Sequence, residues 1–165
     1  MNISLEDIEV FIFDFDGVLT NNLVSLDSKG NEWVSCSRAD GLAFDALRKL
    51  KKTVYILSSE KNQVVTARAN KLQIPVIQGV ADKSESIKKL ANRENFNLDK
   101  VLYLGNDLND YYAMKLCGFT ACPSDSHSKI ASVSDIVLRT AGGNGVVREL
   151  LEDALGLNLL KILYQ

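Results

Sequence analysis

Apolar and polar residues follow one another in blocks along the chain, and the spacing changes from block to block. Short apolar runs bounded by turn residues predict buried strands, and apolar residues three or four positions apart predict helices. The predicted strands cover residues 9–14, 53–57, 75–77, 101–104, 119–122 and 136–138, and the predicted helices cover 40–50, 63–72, 85–94, 111–116, 146–155 and a segment from Ser126. Strands that alternate with helices predict an α/β fold with a doubly wound parallel sheet.

A different pattern interrupts this alternation directly after the first strand. Residues 23–26 and 32–35 are short, partly apolar segments, and residues 27–31 between them contain Lys-Gly-Asn. Two such segments around a glycine-containing turn predict a β-hairpin. Because the hairpin follows the loop of the first strand, we expect it to form a flap that excludes water from a site at the strand ends.

Composition narrows the class of protein. The 165 residues carry a formal charge of −2 with mixed signs, which predicts one domain over residues 1–165 and no nucleic-acid partner. No apolar run is long enough to span a membrane, and the first residues lack a signal pattern, so we expect no membrane association. The three cysteines are odd in number and lack metal-ligand spacing, which predicts reduced thiols and a cytoplasmic location.

Two carboxylates follow the first predicted strand. Asp14 and Asp16 alternate along an extended segment, so their side chains face the same side about 7 Å apart at ~3.3 Å per residue. Gly17 then allows a tight turn. Such a pair suits a divalent cation and a carboxylate nucleophile. Two solvated aspartates at a strand end would give the same short pattern, so the pair alone leaves both interpretations open.

Polar residues also follow two other predicted strands. Ser58 follows the strand at 53–57, a cluster at 106–110 follows the strand at 101–104, and Lys83 lies in the segment that leads into the predicted helix at 85–94. Each has a plain structural explanation: a helix cap, a surface lysine and an Asx-rich turn. Because the carboxyl ends of parallel strands meet at one edge of a sheet, their combination predicts a shared site.

The order of acid pair, hydroxyl, lysine and acid cluster, over residues 11–110, resembles the four motifs of haloacid dehalogenase-type phosphatases. The resemblance implies a Rossmann-like sheet and a Mg²⁺-dependent reaction in which Asp14 forms an aspartyl-phosphate. It also implies that Asp16 acts as general acid and base, and that Ser58 and Lys83 bind the phosphoryl group. Asp110 would orient Lys83 or the metal shell.

One position departs from the motifs of that family. An aspartate usually follows the glycine of the fourth motif, and this chain has Asn106 there. The resemblance implies a metal site formed by Asp14, Asp16, Asn106 and Asp107. An amide oxygen brings no charge, so we expect weaker Mg²⁺ binding unless Asp107 compensates.

The gaps between the motifs leave no room for a cap domain. The chain therefore resembles the capless branch that contains 2-keto-3-deoxynononate 9-phosphate and 3-deoxy-octulosonate 8-phosphate phosphatases. Octulosonate enzymes typically have Gly-Arg where this chain has Ser59-Glu60, and Arg-Asp-Gly where it has Ala39-Asp40-Gly41. These departures favour a nonulosonate 9-phosphate, a sialic-acid-type substrate, and octulosonate 8-phosphate is the alternative.

The same resemblance implies how the sugar phosphate is held. Glu60, Arg68 and Lys71 match positions associated with the sugar-acid substrate. Arg68 and Lys71 lie three residues apart, so both could meet a carboxylate from one helix face. An ordinary solvated helix face explains the same spacing. Enzymes of this branch are homotetramers in which a neighbouring subunit acts as the cap, and we expect the same here.

Two further readings of the resemblance stay open. Related domains attached to sialic-acid cytidylyltransferases serve in assembly, and some of them share an asparagine at the position of Asn106. The presence of Asp14, Asp16, Ser58 and Lys83 favours an enzyme over an assembly domain. An open site would also suit a scavenger of varied small phosphates.

Two segments near the end of the chain carry expectations of their own. Residues 142–145, three glycines and an asparagine, predict a flexible loop over the site. Residues 159–164 are too apolar for a free tail, so we expect them to pack on a partner subunit.

Overall fold

The computed structural model describes residues 3–165, and its centre is a six-stranded parallel sheet in the order β5-β4-β1-β6-β7-β8. Helices cover both faces of this sheet, which confirms the predicted fold class. The strands are β1 Val10–Phe13, β2 Ser25–Leu26, β3 Glu32–Trp33, β4 Thr53–Leu57, β5 Val76–Ile77, β6 Val101–Leu104, β7 Phe119–Cys122 and β8 Ile136–Val137. The helices are α1 Arg38–Lys49, α2 Gln63–Leu72, α3 Lys83–Glu94, α4 Tyr111–Met114, α5 Ser128–Ala131, α6 Val146–Glu149 and α7 Leu159–Tyr164.

Strand β1 lies between β4 and β6 and is buried on both faces. Its side chains alternate, so Phe11 and Phe13 enter one core and Val10 and Ile12 enter the other. Phe13 packs edge-to-face on Phe44 of α1, with ring centroids 5.1 Å apart. This continuous burial fixes the carboxyl end of β1, where Asp14 begins the functional loop.

Polar caps set where the three longest helices begin. The hydroxyl of Ser37 accepts the N–H of Ala39, and α1 therefore starts at Arg38, earlier than predicted. Asn62 caps α2 in the same way. Asp82 accepts the N–H groups of Ser84 and Glu85, which also starts α3 earlier than predicted. The Asp82 cap places Lys83 in the first turn of α3.

The predicted hairpin is present as the two-stranded antiparallel pair β2–β3. Its strands are shorter than predicted. Leu23, Leu26 and Trp33 are all more than three-fifths exposed. The flap therefore presents an apolar surface that its own chain does not cover.

Residues 142–145 were predicted to form a flexible loop over the site. In the structure this glycine-rich segment contacts the loop that follows β1 instead. Gly143 donates its N–H to the carbonyl of Val18 at 2.9 Å, behind the loop that follows β1. A Cβ at Gly142 would lie 2.2 Å from the carbonyl oxygen of Gly17. The glycines allow two loops to approach closely, so this segment packs directly on the first loop.

One side of the C-terminal segment packs on its own chain, and the expected contact of this segment with a partner subunit stays a prediction for Leu160 and Tyr164, which are exposed. Leu159 is buried, and Ile162 and Leu163 pack against the core beside α1. Lys49 of α1 donates a hydrogen bond to the carbonyl of Leu163. Within residues 3–165, no helix combines the length and the apolar character needed to cross a membrane.

Candidate active site

A cavity of about 290 Å³ opens at the carboxyl ends of β1, β4 and β6. This is the edge at which parallel sheets bind ligands. The structure therefore brings most of the predicted site residues together. The lining residues are Asp14, Asp16, Asn22, Ser58, Ser59, Glu60, Asn106, Asp107, Leu108 and Asn109.

Asp14 lies at the base of this cavity and is 3% exposed. Its N–H donates to the carbonyl of Leu104 at 2.9 Å, which continues the sheet by one residue. Its Oδ1 accepts the N–H of Phe15 and the ammonium of Lys83, each at 2.7 Å. The carboxylate is thereby held by one oxygen, and Oδ2 is left for the cavity side.

Lys83 does not line the cavity; its ammonium lies behind Asp14, between two carboxylates. The Nζ atom is 2.7 Å from Asp14 Oδ1 and 2.7 Å from Asp110 Oδ1. Asp110 also accepts the hydroxyl of Tyr103 and the N–H of Asn106, each at 2.8 Å. Asp110 therefore contacts Lys83 directly, and the Tyr103 hydroxyl completes the network.

The charges of this network perturb one another. Burial raises the pKa of Asp14, the charge of Asp110 raises it further, and Lys83 opposes both. Burial alone would lower the pKa of Lys83, but the two carboxylates raise it. A further cation beside Asp14 would oppose the increase in the pKa of Asp14 and favour the ionised carboxylate.

Asp16 lies nearer the opening than Asp14 and is partly exposed. Partial burial raises its pKa, and the charge of Glu60 adds to the increase. A carboxyl group with a raised pKa can hold a proton and give it to a leaving group. The position of Asp16 near the opening thus suits an acid, whereas the direct contact with Lys83 favours the charged form of Asp14.

The amide of Asn106 meets two acceptors. One end of this amide lies 2.9 Å from the main-chain oxygen of Asp16 and 3.2 Å from Asp14 Oδ2. If this end is the NH₂ group, it donates to both of these oxygens. If it is the amide oxygen, it forms a group of three oxygens with the Asp16 carbonyl oxygen and Asp14 Oδ2. Neighbouring oxygens of an octahedral Mg²⁺ shell, at ~2.1 Å from the metal, lie about 3 Å apart. The oxygen donors of these three residues therefore fit Mg²⁺.

The carboxylates alone do not form a metal cluster. Among the described residues, no three His, Cys, Asp or Glu side chains are grouped to hold a metal ion. The donor set beside Asp14 instead needs an amide and a main-chain carbonyl. Asp107 lies at the rim, is exposed, and accepts the N–H of Leu108 at 2.7 Å.

Ser58 and Glu60 form the wall of the cavity that follows β4. Ser58 is 1% exposed, and its Oγ accepts the N–H of Glu60 at 3.1 Å. Its hydroxyl hydrogen stays available for donation. Glu60 Oε1 accepts the N–H groups of Lys61 and Asn62. This leaves the other carboxylate oxygen of Glu60 for a ligand.

The structure does not bring Arg68 and Lys71 into this cavity. Both line a separate hollow of about 240 Å³, together with Arg38 and Asp45. Arg68 donates from Nη2 to the carbonyl of Ser37 at 2.7 Å. The two cations do share one helix face, but neither of them lines the cavity beside Asp14.

Two functional contacts were not predicted from the sequence. Tyr103 lies on the face of β6 opposite to Leu102 and Leu104. Its hydroxyl donates to Asp110 and thereby helps to hold the carboxylate that contacts Lys83. Asn109 donates from Nδ2 to the hydroxyl of Ser59 at 2.8 Å across the rim. Strand alternation could have identified the buried face of Tyr103, but no local pattern indicates the contact between Asn109 and Ser59.

The site combines a buried carboxylate fixed by a lysine with a second carboxyl group and a hydroxyl, all at one edge of a parallel sheet. This combination is typical of a hydrolase site. The chain belongs to the haloacid dehalogenase-like hydrolase family, whose model matches residues 21–150. This match confirms the predicted superfamily.

Curated relatives place the chain more finely within the family. It is 30% identical over 148 residues to the 3-deoxy-D-manno-octulosonate 8-phosphate phosphatase KdsC of Escherichia coli. The alignment covers 89% of this chain and 79% of the relative. The family and these relatives confirm the predicted resemblance to the capless sugar-acid phosphatases and the predicted enzyme class, a phosphomonoesterase.

Solved structures agree with this placement. A haloacid dehalogenase family hydrolase from Streptomyces avermitilis is 39% identical with a TM-score of 0.92, covering 96% of this chain and 91% of its own. An octulosonate 8-phosphate phosphatase from Moraxella catarrhalis, in complex with magnesium, phosphate and a KDO molecule, is 30% identical with a TM-score of 0.85. That alignment covers 94% of this chain and 87% of the other.

Proposed function

We propose that this protein is a magnesium-dependent phosphatase of 2-keto-3-deoxy sugar acid phosphates that works through an aspartyl-phosphate. The observation that carries the proposal is the state of Asp14. Its Oδ1 is held by Lys83 and the N–H of Phe15, and Oδ2 is left toward the cavity. A buried carboxylate fixed in this way is oriented for attack and cannot rotate freely.

In the first half of the reaction, the Asp14 carboxylate forms a bond to phosphorus as the bond to the sugar oxygen breaks. Asp16 gives its proton to that oxygen, so the sugar leaves as an alcohol. In the second half, Asp16 takes a proton from water as the water oxygen attacks phosphorus. The bond to Asp14 breaks, and inorganic phosphate and the original carboxylate are formed.

Other residues stabilise the charge that develops on the phosphoryl oxygens. The Ser58 hydroxyl is placed to donate a hydrogen bond, and Lys83 supplies positive charge behind Asp14. When bound, Mg²⁺ offsets the repulsion between the Asp14 carboxylate and the phosphoryl group. Asp14 Oδ2, the Asp16 carbonyl and the Asn106 amide oxygen would hold it, with Asp107 near the shell. The magnesium in the Moraxella structure supports a magnesium-dependent reaction.

Changing Asn106 to Asp tests the metal site. A carboxylate at this position adds a charged oxygen ligand, so we expect Mg²⁺ to bind about 10-fold more tightly. Isothermal titration calorimetry with Mg²⁺ alone measures the change. The matched control is Asn92→Ala, because Asn92 is exposed on α3. Unchanged Mg²⁺ binding in Asn106→Asp would move the ligand assignment to Asp107.

Two sugar acid phosphates are candidates for the substrate. The Ser59-Glu60 pair and the 39–41 segment favour a nonulosonate 9-phosphate, of the sialic-acid type. The named curated and structural relatives support octulosonate 8-phosphate instead. We keep the nonulosonate as the preferred substrate, because both departures lie beside residues with proposed ligand contacts.

The substrate assignment is tested by phosphate release from both sugar acid phosphates and from common hexose phosphates, with Mg²⁺ and with chelator. We expect metal-dependent turnover with a strong preference for the nonulosonate 9-phosphate. A preference for octulosonate 8-phosphate would select the alternative. Similar slow turnover of every ester would indicate a scavenger, and none would support an assembly domain.

The proposed form is a homotetramer in which a neighbouring subunit completes the cavity. The exposed apolar residues of the flap, Leu23, Leu26 and Trp33, support an interface between chains. Arg68 and Lys71 do not line the cavity beside Asp14 of their own chain, which supports a contact with the sugar carboxylate bound by a second subunit. The proposed location of the protein is the cytoplasm. Its three cysteines support this, because they are free thiols: Cys36, Cys117 and Cys122.

The double variant Arg68→Ala/Lys71→Ala tests the carboxylate contact. We expect a loss of about 100-fold in kcat/KM for the sugar acid phosphate, because two charge-assisted contacts are removed. p-Nitrophenyl phosphate has no carboxylate, so its turnover should fall far less. Lys89→Ala/Arg93→Ala on α3 is the matched control. Equal losses on both substrates would remove Arg68 and Lys71 from the substrate site.

A further inference from the structure

The outer part of the cavity has a polar lining that the proposed chemistry does not use. Asp14, Asp16, Ser58 and Asn106 form the inner part, around the position of the phosphoryl group. Asn22, Ser59, Leu108 and Asn109 line the outer part. The carboxylates of Glu60 and Asp107 also line the cavity. The four outer groups named here are neutral, so they suit neutral parts of a ligand better than its phosphate or carboxylate.

Asn109 is fixed in this lining by the loop on the other side. Its Nδ2 donates to the Ser59 hydroxyl at 2.8 Å, which joins the loop after β6 to the loop after β4. An amide group has two N–H donors and an acceptor oxygen. One donor is used by Ser59, and the second N–H and the oxygen remain for a ligand.

Asn22 is also held in place by its backbone. Its φ of 63° is left-handed, a conformation that asparagine adopts more readily than most residues. Its N–H donates to Thr20 Oγ1 at 3.2 Å, and the preceding Asn21 accepts the N–H of Leu23 at 3.2 Å. Within residues 3–165 the Asn22 side chain has no hydrogen-bond partner. The turn thus presents a second unused amide to the cavity.

We infer that Asn22 and Asn109 form a polyol subsite, which binds the hydroxyl groups on the carbons next to the phosphorylated carbon. This inference rests on the proposed function, because the phosphoryl position beside Asp14 places those carbons in the outer part of the cavity. Ser59 is a positioning residue that orients the Asn109 amide. Leu108, which is half exposed, offers the one apolar contact for the carbon chain.

The subsite defines the class of ester that the enzyme prefers. Amides placed to bind hydroxyl groups lose their partners when an ester without those hydroxyls is bound. The preferred leaving group is therefore a primary alcohol with hydroxyls on the adjacent carbons. The selection acts near the phosphate, independently of the distant carboxylate.

The test compares glycerol 3-phosphate with n-propyl phosphate, which has the same carbon chain without hydroxyls. We expect kcat/KM of the wild-type protein to be about 10-fold higher for glycerol 3-phosphate. Asn109→Ala and Asn22→Ala should each lower this ratio by about 5-fold, the effect of one lost hydrogen bond. Ser59→Ala keeps the Asn109 amide and should lower the ratio less than Asn109→Ala does.

Asn92→Ala, on the exposed face of α3, is the control and should keep the wild-type ratio. Equal losses on both esters in Asn109→Ala and Asn22→Ala would mean that the amides only support the loops, and would overturn the subsite. A wild-type ratio near one would also overturn it. Absent turnover of both esters and of the sugar acid phosphates would contradict the proposed function itself, and the subsite with it.

Discussion

Asp14→Asn is expected to abolish turnover of every phosphate ester, with kcat reduced by at least ~10⁴-fold. An amide cannot form the bond to phosphorus that the Asp14 carboxylate forms in the proposed reaction. The fold should persist, because Lys83 keeps its contact with Asp110 in the Asp14→Asn variant. Phosphate release at saturating Mg²⁺ measures the loss, and circular dichroism checks the fold.

Asp99→Asn is the matched control for this variant, because Asp99 is an exposed aspartate far from the cavity. Its activity should equal that of the wild type. Turnover of Asp14→Asn within 10-fold of the wild type, at any Mg²⁺ concentration, would exclude the covalent mechanism. General-base attack by water would then be the remaining route.

Lys83→Met is expected to lower both stability and activity. The Lys83 side chain is 1% exposed and contacts two buried carboxylates at 2.7 Å. Removing one partner of a buried ion pair leaves charge uncompensated and costs about 3–5 kcal/mol in the free energy of unfolding. Turnover should fall about 10²–10³-fold, because positive charge behind the phosphoryl group is lost. Urea unfolding and phosphate release measure the two effects.

Lys89→Met is the control for this change, since Lys89 is exposed on the same helix, α3. Its free energy of unfolding should stay within about 0.5 kcal/mol of the wild type. A similar stability for Lys83→Met and Lys89→Met would contradict the buried network. Full activity in Lys83→Met would remove Lys83 from the proposed chemistry.

The sheet and the inner part of the site could be predicted from the sequence. Short apolar runs identified the strands, and parallel topology then required Asp14, Ser58 and Asn106 to meet at one edge. This inference depends on local pattern and on one general rule of sheet geometry. The precise contacts of Asp14, with Lys83 and with the N–H of Phe15, needed the structure.

Contacts between distant segments could not be predicted, because no local pattern encodes them. Asp40 in the first turn of α1 accepts the N–H groups of Val147 and Arg148, at the start of α6. Gly145 is the residue before α6 and has no side chain that could accept these N–H groups. The buried side of α7 and the separate hollow of Arg68 likewise follow from packing between helices.

The central claim is that the reaction passes through a phosphorylated Asp14, and a burst experiment tests it most directly. p-Nitrophenolate leaves without an acid, so Asp16→Asn should still form the aspartyl-phosphate and then stall without its base. We predict a burst of one p-nitrophenolate per active site, with borohydride converting residue 14 to homoserine in the mass spectrum. Slow release without a burst, with residue 14 unmodified, would contradict the account.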